Sequence, residues 1–223
     1  MGSVIVQMLP LIVGAAVVPI WIIMVLFLLR SEAGLLKAAA FAAGAILVRL
    51  VQGMLFGYVF GKSAEASGDS GSSVIVSTLL LVVGILMLIA AFKQWRKEDD
   101  PDAPPKWIAT ISGLSAVKAL GIGALLVAIA AKQWVFTLSA VGVIGQAQLS
   151  QAGNVIAFLF YVLAAQSLVL VPIVVYAVAP TQSAKTLDAA QGWLGRHNRV
   201  IVIAISLIFG LLFLFKGITG LTG

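Results

Sequence analysis

The sequence contains no cysteine, only one histidine and few charged residues. Without cysteine, neither disulfide bonds nor thiol chemistry can take part in its function. Charged residues make up 10% of the 223 positions, whereas 61% are hydrophobic. Soluble domains contain about 25% charged residues. The composition therefore predicts an all-α integral membrane protein.

The hydrophobic residues are grouped into six runs, each long enough for a membrane-spanning helix of roughly 20 residues. The first run begins without the basic residues of a secretory signal peptide, so we expect it to remain as the first span. We predict a three-helix repeat at residues 1–92, a cytoplasmic charged loop and interfacial segment at 93–118, and a second repeat at 119–223. The predicted spans cover about 3–29, 35–60, 74–92, 119–145, 154–179 and 200–221.

Lysine and arginine are concentrated in the connections after the first, third and fifth spans, and the other two connections hold only Lys62. The positive-inside rule then places those basic connections in the cytoplasm and both termini outside. Three spans per half give the halves opposite orientations, which predicts a 3+3 inverted-topology repeat, a common transporter architecture. We assign the net charge of +6 to this topology and expect no nucleic-acid partner.

All eight acidic residues, and the single histidine His197, fall outside the predicted spans. Transport of metal ions or protons usually requires buried carboxylates or histidines. A serine or threonine nucleophile likewise requires a neighbouring base. We therefore expect no bound metal, no cofactor and no enzymatic activity.

Two cations nevertheless lie near the centres of spans, Arg49 in the second and Lys132 in the fourth. Such a residue costs at least about 2.5–3.5 kcal/mol on insertion scales, and it normally faces the bundle interior or a water-filled cavity. Because no predicted span contains a carboxylate, we hypothesise that an anionic or strongly polar substrate supplies the counter-charge. For Lys132, the alternative is a structural role as a donor to carbonyls that helix breaks leave free.

Glycines follow Arg49 at four-residue spacing, at positions 53, 57 and 61. They share one helical face with the arginine and allow a neighbouring helix to approach closely. Arg49 is therefore expected to point toward protein and away from lipid.

Polar amides and a proline accompany the two cations. Gln52, Gln133 and Gln166 lie within the same apolar spans. Pro19 interrupts the first span, either as a simple kink or as a break near the midplane of the kind that marks transporter sites. The predicted substrate-binding residues are Lys132, Arg49, Gln133, Gln52, Gln166 and Pro19.

The stretches "PPKWIATISGLSAVKALGIGALLVAIAAKQWVFTLSAVGVIG" and "GWLGRHNRVIVIAISLIFGLLFLFKGITGL" resemble the glycolipid-addressing (sulfolipid-addressing) proteins of actinobacteria. These proteins belong to the lysine-exporter (LysE) superfamily of six-span transporters, and the resemblance covers nearly the whole chain. Family members typically carry Asn-Pro-Lys in the fourth span, where this chain has Ala130, Ala131 and Lys132. The resemblance implies export or flipping of cell-envelope glycolipids alongside other envelope machinery.

We therefore predict a multi-pass transporter of the bacterial inner (cytoplasmic) membrane that exports or flips an amphiphilic, anionic lipid or glycolipid. One alternative is an exporter of small polar solutes such as amino acids, as the superfamily name suggests. Another is a non-transporting accessory subunit of an envelope-lipid export complex, with the charged loop between Lys93 and Lys106 as its docking surface. The faces of small residues permit a homodimer without requiring one.

Overall fold

The computed structural model describes residues 2–67, 69–96 and 113–222, and all regular structure in these ranges is α-helical. Most of the charged loop predicted at 93–118 therefore lies outside the described residues. In chain order the helices are α1 (Gly2–Ala16), α2 (Pro19–Leu29), α3 (Gly34–Ser67), α4 (Asp69–Arg96), α5 (Ala116–Ile129), α6 (Ala131–Gln146), α7 (Gln151–Ala165), α8 (Ser167–Val178) and α9 (Pro180–Thr222).

Within the described ranges, three unbroken helices and three bent pairs are long and apolar enough to cross a membrane. The unbroken candidates are Gly34–Gly57 in α3, Ser77–Arg96 in α4 and Arg196–Thr222 in α9. The bent pairs are α1–α2, α5–α6 and α7–α8, with bends of 60°, 72° and 70°. The described part of the chain is thus all-helical, and the chain is a multi-pass membrane protein with up to six described spans if each bent pair crosses the membrane once.

The three bends differ in their local structure. Pro19 has no N–H group, so the carbonyl of Ala15 loses its helical partner and a new helix begins at the proline. The fourth span is interrupted at Ala130, whose backbone is extended (φ −80°, ψ 94°) although no proline is present. The fifth span breaks at Gln166, whereas Pro172 lies inside α8.

Two clusters of apolar side chains form the interior, and each bent span contributes one helix to each cluster. The first cluster contains residues from α2, α5 and α8, and the second contains residues from α1, α6 and α7. Helix α3 passes through both, since Phe41 belongs to the first cluster and Leu50 packs against the second. All three breaks therefore lie where the two clusters meet.

Close contact between α3 and α5 depends on glycine. A Cβ atom on Gly123 would overlap the carbonyl oxygen of Phe41, and one on Gly44 would overlap the carbonyl oxygen of Leu120. The two backbones approach more closely than alanine side chains would permit, as expected for membrane helices packed through small residues.

We predict that Gly123→Ala lowers the melting temperature of the purified protein, because the added methyl group forces α3 and α5 apart. Overpacking of this kind costs about 1–3 kcal/mol. Gly121→Ala is the matched control, since it lies in the same helix and its Cβ would have no neighbour within 4 Å. Equal melting temperatures for the two variants would contradict the close packing.

Candidate functional site

Arg49 is the largest fully buried side chain in the described part of the chain, with an exposed fraction of 0%. It lies on α3 between Val48, which packs against the first apolar cluster, and Leu50, which packs against the second. Its Nη2 donates a hydrogen bond of 2.7 Å to Oε1 of Gln133. The guanidinium is therefore held at the level of the helix breaks.

Gln133 connects α3 to two of the broken spans. It lies in the first turn of α6, just after the break at Ala130, and its side chain is fully buried. While Oε1 accepts from Arg49, Nε2 donates to the carbonyl oxygen of Ala15 at 3.3 Å. That carbonyl is the one that Pro19 deprives of its helical partner. One amide thus serves both the buried cation and the break in the first span.

The break in the fourth span is stabilised by side chains that bond to the backbone. The indole Nε1 of Trp134 donates to the carbonyl oxygen of Ala128 at 2.6 Å, across the break from α6 to α5. Within α6 itself, the hydroxyl of Thr137 donates to the Gln133 carbonyl at 3.0 Å. The Trp134 ring also meets Phe56 of α3 edge to face, with centroids 5.6 Å apart. These contacts keep the start of α6 beside α3.

Arg49 uses only part of its capacity to donate hydrogen bonds. Its Nε and Nη1 atoms are buried and have no hydrogen-bond partner among the described residues. Nη2 has two hydrogens, one on the edge that it forms with Nε and one on the edge that it forms with Nη1. Only one of these two hydrogens is donated to Gln133. In both arrangements one two-donor edge of the guanidinium remains free. Arginine uses such an edge to bind two oxygens of a carboxylate or phosphate group.

Other polar groups in the interior also lack protein partners. Gln52 and Gln166 are each only 1% exposed, and both amide atoms of each make no hydrogen bond within the described residues. The hydroxyl of the fully buried Tyr161 lies beside Arg49 and Thr137, but no described contact has hydrogen-bond geometry. Buried polar groups are nearly always satisfied in native proteins. These amides and this hydroxyl are therefore available to a polar ligand.

Lys132 adjoins the buried cluster in sequence but occupies a different position. It is the second residue of α6, it is partly buried, and it makes no hydrogen bond or ion pair with any described residue. Successive helical residues point about 100° apart, so its side chain leaves the helix in another direction from Gln133. Gln133 and Trp134 bond the carbonyls of Ala15 and Ala128, so the lysine caps neither of them.

The structure joins some of the predicted site residues and adds others. Arg49 and Gln133 are in direct contact, and Pro19 acts through the Ala15 carbonyl. Gln52 and Gln166 are buried, and neither forms a hydrogen bond with the arginine among the described residues. Tyr161 was missed by the sequence analysis. A tyrosine in the middle of an apolar span was the available signal, because membrane tyrosines are enriched at the interfaces.

We predict that Gln133→Leu lowers the free energy of unfolding by about 2–4 kcal/mol, because it leaves a buried cation and a buried carbonyl without partners. In an Arg49→Met background only the carbonyl loses its partner, so the same substitution should cost about 1–2 kcal/mol. Unfolding of the four purified proteins in detergent measures this difference. Gln146→Leu, at an exposed position of α6, is the control. Equal costs of Gln133→Leu in the two backgrounds would show that the pair is uncoupled.

The chain matches the family described as Sap, sulfolipid-1-addressing protein, over residues 8–219. No curated protein and no solved structure matches it. The matched range extends from within α1 to within α9 and includes every residue of the site described above. The chain therefore belongs to the sulfolipid-1-addressing protein family.

Proposed function

We propose that the chain is a transporter of the bacterial cytoplasmic membrane that exports or flips an anionic lipid or glycolipid of the cell envelope. The observation that carries this proposal is the free two-donor edge of Arg49 in the bundle interior. The guanidinium forms no ion pair within the described residues, and its partner Gln133 contributes no charge. An anionic headgroup supplies both the missing acceptors and the missing charge.

The remaining polar groups suit a headgroup that carries hydroxyls as well as charge. Gln52 and Gln166 can each donate and accept, and the Tyr161 hydroxyl can do either. Lys132, partly buried and unpaired among the described residues, provides a second cation beside the start of α6. In this proposal Arg49 holds the anionic group, the amides bind neighbouring hydroxyls, and the hydrocarbon part remains in lipid.

The arrangement of the helices supports a 3+3 inverted repeat. Both the first and fourth spans, which occupy corresponding positions in the two halves, are broken, and such pairs indicate the binding site in many transporters. Helix α3 packs against α5 and α6, while α7 and α8 pack against α1 and α2. The second span thus contacts the fourth, and the fifth span makes the equivalent contact with the first. The third span, in α4, contacts the sixth span, in α9. A pseudo-two-fold axis relating the halves requires these pairings.

Access to the site then requires each of the two apolar clusters to open, one after the other. Arg49 is fully buried, with the first cluster on one side and the second on the other. With both termini outside, the first cluster lies on the cytoplasmic side and closes the inner entrance. The second cluster closes the outer one. Export consists of opening the first, binding the headgroup and opening the second.

Export of a small polar solute is the second candidate function, and the complete burial of the polar site favours it. A solute such as an amino acid fits inside a closed site, and its carboxylate can bind the same edge of Arg49. This candidate predicts binding of the solute without any bound lipid.

Lipid mass spectrometry on the purified protein tests the proposal. We expect an anionic lipid or glycolipid to co-purify with the parent and to fall at least about tenfold in Arg49→Met, which loses a charge-assisted pair worth about 1.5–3 kcal/mol. Lys132→Ala should also reduce it. Arg49→Lys should retain little, because lysine keeps the charge but not the two-donor edge. Lys37→Ala, a basic position near the start of α3, is the control.

Equal lipid content in all these proteins would contradict a headgroup-binding role for Arg49 and Lys132. In that case, amino-acid binding that Arg49→Met abolishes would establish the small-solute alternative. If neither ligand depends on the two cations and a large partner co-purifies, the chain acts as an accessory subunit. Flipping of the bound lipid by reconstituted protein in vesicles then completes the test of transport.

A further inference from the structure

A groove of different chemistry lies at the C-terminal end of α4. Its volume is about 600 Å³, and its described lining consists of Ile85, Leu88, Ile89, Phe92, Lys93 and Arg96. Ile85 and Ile89 are more than 40% exposed, so the groove opens on the outer surface of the bundle. Apolar side chains line one end and two cations line the other.

The groove is separate from the buried polar site. Val83 of α4 belongs to the second apolar cluster, together with Tyr161. Met87 also belongs to that cluster, whereas none of the six groove residues does, so the groove and the cluster occupy different faces of α4. The distribution of basic residues in the sequence places this end of α4 at the cytoplasmic face, where anionic lipids attract basic side chains.

The cationic end of the groove is held in place by its neighbours. The guanidinium carbon of Arg96 lies 5.0 Å from the centre of the Phe92 ring, a cation–π distance. At the residue before Arg96, Nη2 of Arg199 donates to the carbonyl oxygen of Trp95 at 2.6 Å and so attaches α9 to the end of α4. Lys93 and Arg96 form no ion pair with any described residue.

We propose that this groove binds an anionic phospholipid of the membrane, with an acyl chain along Ile85, Leu88 and Ile89 and the phosphate between Lys93 and Arg96. An amphiphile with an anionic headgroup satisfies both ends of the groove. A hydrocarbon chain gains nothing from the two cations, and a free phosphate gains nothing from the apolar residues. This lipid is a resident ligand at a second site, and the proposal does not depend on the transport function.

Native mass spectrometry of the full chain tests the proposal with phosphatidylglycerol and phosphatidylcholine that carry the same acyl chains. We expect the parent to bind phosphatidylglycerol about 10- to 30-fold more tightly, as two basic residues near a membrane surface predict. The double variant Lys93→Gln/Arg96→Gln should lose this preference. Lys118→Gln, at an exposed position also assigned to the cytoplasmic side, should keep it.

Three results would overturn the proposal. Equal binding of the two lipids to the parent would mean that the groove holds only bulk lipid chains. If the Lys118→Gln control lost the phosphatidylglycerol preference to the same extent as the double variant, overall surface charge, and not this groove, would select the lipid. Four acidic residues follow α4 in the sequence: Glu98, Asp99, Asp100 and Asp102. If phosphatidylglycerol bound only after these residues were neutralised, the acidic segment itself would be the occupant of the groove.

Arg49→Met separates this site from the transport site. The phosphatidylglycerol preference should remain in that variant, because Arg49 lies in the interior and contacts none of the groove residues. Loss of the preference in Arg49→Met would show that the bound phospholipid occupies the buried site. Inorganic phosphate at the same concentrations should leave the phosphatidylglycerol binding unchanged, since it lacks the acyl chain that the apolar end requires.

Discussion

The Arg49 guanidinium cannot remain in an apolar interior without hydrogen bonds, and the surrounding structure is built around this requirement. Gln133 meets it with an amide oxygen, which satisfies one donor but leaves the positive charge uncompensated. A carboxylate at that position would have formed an internal ion pair with the guanidinium. The choice of an amide therefore keeps the interior attractive to anions, at a cost in stability that the packed apolar clusters must offset.

The breaks in the helices follow from the same requirement. In the interior of an unbroken helix each carbonyl already accepts the N–H group four residues further on, so only its second lone pair is available to a buried amide. Pro19 releases the Ala15 carbonyl, and this oxygen accepts the donor end of Gln133. The amide is consequently satisfied at both ends and fixed in orientation. The breaks of the first and fourth spans are thus joined by the hydrogen bond of a single side chain, and the apolar clusters lie on either side of this connection.

The helical class and the positions of the apolar segments were predictable, because runs of apolar residues of membrane-spanning length have few alternative structures. Arg49 was also predictable as a buried residue, since a cation at the centre of a span must face protein or water. Its partners were not. Gln133 and Ala15 are far apart in the sequence, and their contact depends on how three helices pack. The break at Ala130 has no proline to indicate it. The exposure of Lys132 depends on the direction in which α6 leaves this break, so the sequence alone could not distinguish its surroundings from those of Arg49.

The bent spans also relate the protein to the thickness of its membrane. Helices α5 and α6 together would measure about 46 Å if they formed one straight helix. The hydrocarbon core of a bilayer is only about 30 Å thick, so the 72° bend shortens an over-long apolar segment. Mismatch costs a fraction of a kcal/mol per Å. No proline fixes the break at Ala130, so the bend depends on the hydrogen bonds of Gln133 and Trp134. A thicker bilayer works against these bonds and a thinner one works with them, so lipid composition exerts a force on the helix that carries Gln133.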